Sequence, residues 1–322
     1  MTLKMKAAVY STYGAPEVLQ IKEVAKPSPK DNEILVKIHA TAVNSGDCRL
    51  RKADPFAVRF FFGLFKPKKS ILGEVLSGEV EAVGKNVQLF KVGDLVFGST
   101  MMNFGAYAEY TCLPETGALA IKPDNMSHEE AAALPFGGST ALHFLQKANI
   151  QPGQKVLIYG ASGAVGAAAV QIAKYFGADV TGVCSTANVD MVKSIGADHV
   201  IDYTQTDFAK TGEQYDVVYE TVNKAPFSSC VAVLKKDGTL LLGASMLGGM
   251  LRGAWTTATS HKKVVSGVAL GTTESVHSLQ KMAKANKLKA VIGKKYALAQ
   301  IAEAHTYVDK GHKKGNVVIM MP

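Results

Sequence analysis

The chain holds 322 residues, more than one hydrophobic core usually organises, so two domains are expected. Hydrophobic residues make up 47% and charged residues 20%, which excludes a disordered or fibrous chain; no run reaches the ~18 to 20 apolar residues of a membrane span. The net charge of +9 is spread along the sequence, apart from knots at Lys66–Lys69 and Lys310–Lys314, and no nucleic-acid module accompanies it; attraction for phosphorylated small molecules explains it more simply.

Met1 to Lys6 leads straight into Ala7-Ala-Val-Tyr10, which reads as a strand and not as a secretory leader, so a cytoplasmic location is expected. Short apolar runs at Lys6–Tyr10, Glu33–Ala42, Gly78–Val83, Asp94–Gly98 and Ala106–Cys112, punctuated by Gly and Pro, predict a partly closed antiparallel barrel. Between them lies Phe56-Ala-Val-Arg-Phe-Phe-Phe-Gly-Leu-Phe65, followed by Lys66, Lys68 and Lys69. As a helix it would align Phe56, Phe60 and Leu64 on one face. That stripe is either buried against the barrel or a second subunit, or forms a lid over a bulky apolar substrate. The four cysteines, Cys48, Cys112, Cys184 and Cys230, lie far apart with no C-x-x-C spacing and are expected as reduced thiols.

Near residue 127 the pattern changes. Ser127 and Glu130 have capping-box spacing ahead of a helical run. From there, strands at Val156–Tyr159, Val180–Val183, His199–Asp202, Val217–Glu220, Thr239–Leu242 and Val264–Val268 alternate with helices such as Val165–Phe176 and Asn188–Ile195. Repeated strand–helix–strand units predict a doubly wound parallel sheet. A helix near Ser275–Ala285, a strand near Val291, a helix near Gln300–Val308 and a terminal strand Val317–Met320 close the chain.

The most informative stretch runs from Val156 through Gly160-Ala-Ser-Gly-Ala-Val-Gly166 into a small-residue helix. Aligned on its last glycine it reads A-x-G-x-x-G, with Ala161 in place of the first glycine. Such a loop lets backbone amides approach a pyrophosphate at a helix N-terminus. A dinucleotide site is therefore expected, with Ser162, Gly163, Ala164, Val165 and Gly166 at the phosphates. The next strand ends at Ser185-Thr186 without the Asp or Glu that would take a ribose 2′-hydroxyl. Small hydroxyls leave room for a 2′-phosphate, with Lys193 and Tyr203 as neighbours, so NADPH is expected ahead of NADH.

Several further runs carry a family resemblance: Met5-Lys-Ala-Ala-Val-Tyr10, Ala42-Val-Asn-Ser-Gly-Asp47, Gly73-Glu-Val-Leu-Ser-Gly78, Val92-Gly-Asp-Leu-Val-Phe97, Gly105-Ala-Tyr-Ala-Glu109, Ser139-Thr-Ala-Leu142, Glu220-Thr-Val-Asn223 and Lys310-Gly-His-Lys-Lys-Gly-Asn-Val-Val318. In this order, with the phosphate loop, they resemble the medium-chain dehydrogenase/reductase superfamily, in its zinc-free (zeta-crystallin-like) quinone oxidoreductase branch. The likeness spans essentially the whole chain. It implies a GroES-like catalytic domain over 1–125 and 272–322, a Rossmann cofactor domain over 126–271, an active site in the cleft between them, and a homodimer.

The resemblance also implies site residues. Asn44, Asp47 and Arg49 become catalytic-domain candidates. Thr140, Val222, Asn223, Gly243, Ala244, Ser245, Val268, Ala269, Leu270, His312, Gly315 and Asn316 become further cofactor contacts. Zinc-dependent relatives have a cysteine ligand where this chain has Asn44 and a histidine where it has Glu74, so no metal is expected. Two departures stand out. The acid usual at the third position of the branch's G-x-D/E-x-x-G motif is Val75 here, with Glu74 before it, so no role passes to Glu74. A cation frequent after the second strand is Ala187. The implied reaction is hydride transfer from NADPH to a quinone or an α,β-unsaturated carbonyl, with no general acid evident. Two alternatives stay open: an enoyl-thioester reductase of the same fold, and a non-enzymatic NADPH-binding module.

Overall fold

The computed structural model describes residues 3–243, 247–269 and 271–322. The chain divides into two compact units. The first takes Met1–Phe136, Gly271–Lys284 and Ala290–Pro322; the second takes Gly137–Leu270 and Ala285–Lys289. The division falls inside a helix, and 285–289 goes with the second unit.

In the first unit, β1 (Lys4–Val9), β2 (Gln20–Ala25), β3 (Glu33–Ala42), α1 (Ser45–Lys52), α2 (Val58–Phe62), β4 (Val75–Val83), β5 (Leu95–Ser99), β6 (Tyr110–Pro114) and β7 (Ala118–Ile121) follow in order. The long helix α3 (His128–Ala148) then crosses into the second unit. Its start is the expected capping box: the Glu130 carboxylate accepts from Ser127 N–H at 2.9 Å, and Ser127 Oγ accepts from Glu130 N–H at 3.2 Å.

The second unit holds β8 (Lys155–Tyr159), α4 (Ala164–Tyr175), β9 (Asp179–Cys184), α5 (Val189–Ser194), β10 (His199–Asp202), β11 (Tyr215–Glu220), α6 (Phe227–Ala232), β12 (Leu234–Leu242), α7 (Leu247–Thr259) and β13 (Lys263–Ser266). The chain returns to the first unit with α8 (Thr273–Lys284), β14 (Ile292–Ala297), α9 (Ile301–Asp309) and β15 (Asn316–Met320).

The main sheet of the first unit runs β14-β15-β3-β4-β5-β7, with β6 also on β3. Its organiser is β3. Ile34, Val36, Ile38 and Ala40 alternate along the strand and are buried among Leu76, Val80, Val96, Leu113 and Val318. The last strand, β15, lies antiparallel to β3 and parallel to β14. The β1–β2 hairpin joins through bridges from Ala7 to Ala108 and from Val9 to Ile71. This is the partly closed antiparallel barrel expected from the turn-punctuated strands.

The second unit is a parallel sheet in the order β10-β9-β8-β11-β12-β13. Chain order reverses between β8 and β11, so the crevice at their carboxyl ends is the switch point where such folds take ligands. The buried face of α4 carries Gly166, Ala167, Ala168, Ala169, Val170 and Ile172; small side chains bring the helix close to its sheet. Among the described residues no helix is long and apolar enough to cross a membrane.

Two local expectations are corrected. The Phe56–Phe65 helix shrinks to Val58–Phe62, because Gly63 leaves the helical conformation at φ +122. Its aromatic stripe is not buried within the chain: Phe56, Phe60, Phe61 and Phe65 are 62%, 67%, 75% and 89% exposed. Only Phe62 turns inward, edge-on to Phe104 at 5.9 Å. Residues 45–52 form the helix α1.

Candidate functional site

The nucleotide crevice is built on β8. After Tyr159 the backbone turns at Gly160, and Gly160 N–H and Ala161 N–H both donate to the Val183 carbonyl at 3.0 Å, fixing the loop to β9. Gly163 is the N-cap of α4, and no side chain caps that end. The first-turn amides of α4 therefore keep donors and a partial positive charge for an anion. The glycines differ in role. A Cβ on Gly166 would lie 2.1 Å from the Gly160 carbonyl oxygen, so Gly166 serves the packing of helix on strand. Among the described residues a Cβ on Gly163 would meet only that oxygen, at an ordinary 3.5 Å, so the space beside Gly163 is open. Ala161, in the place of the first glycine, is fully buried beside Gly182.

The rim of the crevice is ordered by a group to which the sequence pattern assigns no role. Glu220, buried at the end of β11, accepts from the N–H groups of Val222, Asn223 and Lys224 at 3.2, 2.7 and 3.0 Å. Thr221 Oγ1 donates to the Tyr159 carbonyl at 2.8 Å. Val222 and Asn223 are thus held beside the phosphate loop.

At the end of β9, Ser185 Oγ accepts from Asn188 Nδ2 at 3.0 Å, and Tyr203 stacks on Tyr159 at 6.4 Å with its edge exposed. Lys193 is exposed on α5. A carboxylate does reach this end, from the neighbouring strand: Asp202, paired in register with Cys184, accepts from Thr186 Oγ1 at 2.6 Å and from Thr204 Oγ1 at 2.8 Å. Those hydroxyls hold the Asp202 carboxyl below the usual carboxylate range. Gly243 follows β12 and lies against Tyr219, while Val268 and Ala269 follow β13. Thr140 lies on α3. Ala244, Ser245 and Leu270 lie outside the described residues. A dinucleotide fits this set: the amides of Gly163–Val165 would hold its pyrophosphate, and the residues after β9 its adenosine ribose.

The first unit carries a second cluster, around the start of α1. Asp47 is 1% exposed, and its carboxylate accepts from Asn44 N–H at 3.0 Å and from Gly73 N–H at 3.3 Å. One side chain therefore joins the mouth of α1 to the entrance of β4. Burial pushes Asp47 up to about 6, against the pull of those amides. Gly73 has φ +95, and a Cβ there would lie 2.6 Å from Tyr107, so only glycine allows this junction. The Asn44 side chain is buried, and among the described residues neither its nitrogen nor its oxygen has a hydrogen-bond partner.

Next to Gly73, Glu74 is held by its backbone: Thr100 N–H donates to its carbonyl at 2.7 Å. Its carboxyl faces Asp47 and Ser99, and one oxygen lies 3.9 Å from where a Cβ on Gly46 would sit. Burial, then the nearby Asp47 charge, push Glu74 up to about 8.

Behind this cluster, Cys48 Sγ contacts His305 Nδ1 at 3.3 Å, and the fully buried Arg51 pairs with Asp309 on α9. Burial pushes the Cys48 thiol up and His305 down to about 3. Lys313 faces Asp47 and Cys48 and is lowered by burial to about 8. In the sequence Lys313 reads as part of a basic knot and of a family-like run, with no role of its own. Arg49 is exposed on α1, whereas Asn44 and Asp47 are buried; the structure does not bring it to their cluster. His312 is exposed. Asn316 donates from Nδ2 to the Val291 carbonyl at 3.1 Å, and buried Gly315 packs on Val291, so both secure β15 to the segment before β14.

The donor chemistry does not suit zinc. An amide and two carboxyl groups replace the thiolate and imidazole of tetrahedral sites. Among the described residues no group of His, Cys, Asp or Glu side chains is arranged to hold a metal ion.

Residues 30–124 match the family described as alcohol dehydrogenase GroES-like domain, and residues 195–319 match the one described as zinc-binding dehydrogenase. The chain is 34% identical, over 98% of its length and 79% of the relative's, to a 2-methylene-furan-3-one reductase of Solanum lycopersicum. It is 33% identical, over 98% of both chains, to a chloroplast envelope quinone oxidoreductase homolog of Arabidopsis thaliana. The solved quinone oxidoreductase of Coxiella burnetii superposes with a TM-score of 0.90 at 28% identity, covering 99% of this chain and all (100%) of its own. With the fold, the phosphate loop and the zinc-unsuited cluster in place, these likenesses put the chain in the medium-chain dehydrogenase/reductase superfamily, in its zinc-free quinone oxidoreductase branch.

Proposed function

We propose that this chain is an NADPH-dependent reductase acting on a conjugated acceptor, a quinone or an α,β-unsaturated ketone or aldehyde. The observation that carries the reading is the Asn44–Asp47–Glu74 cluster. With an amide and two carboxyls where zinc would need thiolate and imidazole, these residues offer hydrogen bonds in place of a Lewis acid. An alcohol needs a strong Lewis acid to become an alkoxide; a conjugated acceptor needs only an oriented hydride and a donor near its oxygen. When bound, the reduced nicotinamide supplies that hydride.

The preference for NADPH rests on Ser185 and Thr186, whose small hydroxyls leave room for a 2′-phosphate, with Lys193 and Tyr203 exposed nearby. A relative 30% identical over 98% of this chain and 79% of its own length is named as an NADPH-dependent alkenal/one oxidoreductase of Arabidopsis thaliana, which supports the same choice. Asp202 is the opposing feature: an acid at this end of the sheet, its carboxylate accepting from the Thr186 and Thr204 hydroxyls. The test is a screen of purified protein with NADPH and NADH against quinones, enals, enones and enoyl thioesters. Turnover of quinones or enones with NADPH, with Ser185→Asp moving the preference toward NADH, is the expected outcome. Turnover confined to enoyl thioesters, or tighter NADH binding by the unaltered protein, would overturn it.

A further inference from the structure

We infer that Glu74 is the acid of this site, giving its carboxyl proton to the oxygen of the reduced acceptor. The inference rests on the reductase reading above. The branch's motif gives Glu74 no role, since its usual acid position is Val75 here.

Three features of the first unit support it. Asp47 accepts from Asn44 N–H and Gly73 N–H, so the same carboxylate fixes the backbone at Asn44 and immediately before Glu74. Gly46 carries no side chain next to the Glu74 carboxyl: its Cβ position lies 3.9 Å from Glu74 Oε2, with the Phe136 ring at 3.6 Å. Asn44 holds a buried amide with no partner, a polar group suited to a further hydrogen bond in the same cluster. The groups facing Glu74 are the Asp47 carboxylate from α1 and the Ser99 hydroxyl from β5; Tyr107 and Lys313 face Asp47 from its other sides.

The protonation states agree with this role. Glu74 keeps its proton up to about pH 8, while Asp47 ionises at about 6 and stays charged. Two neighbouring carboxyls driven apart in this way divide the work between an acid and a fixed anion. Asp47 is the positioning residue and Glu74 the proton donor.

The step balances simply. Hydride addition at the β-carbon of an enone moves the C=C electron pair toward the carbonyl oxygen. The Glu74 Oε–H bond breaks, the proton joins that oxygen, and the carboxylate left behind is reprotonated from water. The acceptor gains a hydride and a proton, and NADPH leaves as NADP⁺. General acids of this kind contribute about 10²- to 10⁴-fold.

The experiment compares the wild type with Glu74→Gln and Glu74→Asp. Infrared spectroscopy of the cofactor-free protein should show a protonated carboxyl band at pH 7 that fades as pH rises through about 8 and is absent from Glu74→Gln. Wild-type kcat for an enone should fall through the same pH. Glu74→Gln should lose roughly 100-fold or more in kcat together with that pH limb, at unchanged NADPH Kd. Glu74→Asp should recover part of both. A Glu74→Gln enzyme with wild-type kcat and pH profile, or no carboxyl band titrating near pH 8, overturns the assignment of Glu74 alone. A wild type that reduces no quinone or enone overturns the reductase reading itself. If Glu74→Gln does not fold, the infrared titration and Glu74→Asp decide.

Discussion

The two inner glycines of the phosphate loop separate folding from binding at the level of one atom. A methyl group on Gly166 would press on the Gly160 carbonyl at 2.1 Å, with Ala161 Cα at 2.8 Å behind it, and backbone cannot yield as a side chain can. Gly166→Ala should therefore lower Tm by several degrees or give insoluble protein. A methyl on Gly163 meets no atom of the chain closer than 3.5 Å, so Gly163→Ala should keep the wild-type Tm while NADPH affinity falls about tenfold or more. Thermal melts and fluorescence titration read the two effects separately. Equal Tm losses in both variants would mean that the loop serves the fold alone. The glycine spacing is legible in the sequence, but the division of labour depends on which backbone atoms come near and needs coordinates. The roles of Asp202 and Lys313 are hidden for a related reason. Each reaches its partners through a neighbouring strand or a distant segment, which no local pattern encodes.

At the scale of elements, the segment from Phe56 to Phe65 shows how a periodic pattern can mislead. The i, i+4, i+8 stripe assumes a helix of ten residues, yet Gly63 stops it after Phe62, and the rings never line one buried face. Helix α7 escapes the sequence pattern for the opposite reason. Gly248, Gly249 and Gly253 weaken its helical signal. Gly253 packs closely on β13, where a Cβ would meet Val264 at 2.7 Å. Strand β3 is readable almost to the residue: burial alternates over Val36–Ala40, and both faces are covered at Ile34–Val36 and Ala40–Ala42. Since Phe60 and Phe61 are 67% and 75% exposed, replacing both with Ser should change Tm by less than about 3 °C. If the segment covers a bulky apolar acceptor, the same variant should raise KM for large hydrophobic quinones several-fold more than for small enones, at unchanged NADPH Kd. A large fall in Tm would return the stripe to a structural role; equal KM values would remove the lid.

For the molecule as a whole, the buried titratable groups set how stability follows pH. His305 is fully buried, and burial lowers it to about 3, so the folded chain resists its protonation. Below its unfolded value near 6.5, the unfolded chain takes up a proton that the folded chain refuses, and stability is lost as pH falls from there toward 3. The slope is about 1.4 kcal/mol per pH unit at most. His305→Leu, which also removes a ring nitrogen without a partner, should flatten this acid limb. Melting curves at pH 7 and pH 4.5 should show a smaller drop for the variant, and parallel drops would contradict the account. Glu74, raised to about 8, acts in the other direction by favouring the fold as pH falls from 8 toward 4.5, so the comparison must be made against the wild type at each pH.

The position of β15 has a consequence for how the chain is made. The strand Asn316–Met320 lies between β14 and β3 in the first unit's sheet, so residues near the start of the chain wait for a partner encoded near its end. The second unit is almost continuous, from 137 to 270, and its parallel sheet has every strand to hand once β13 has been synthesised. During translation the usual N-terminal-first order is thus inverted. The parallel-sheet unit can close early, while Ala40–Ala42 at the end of β3 wait for residues 318–320, the rest of that edge being taken by β6.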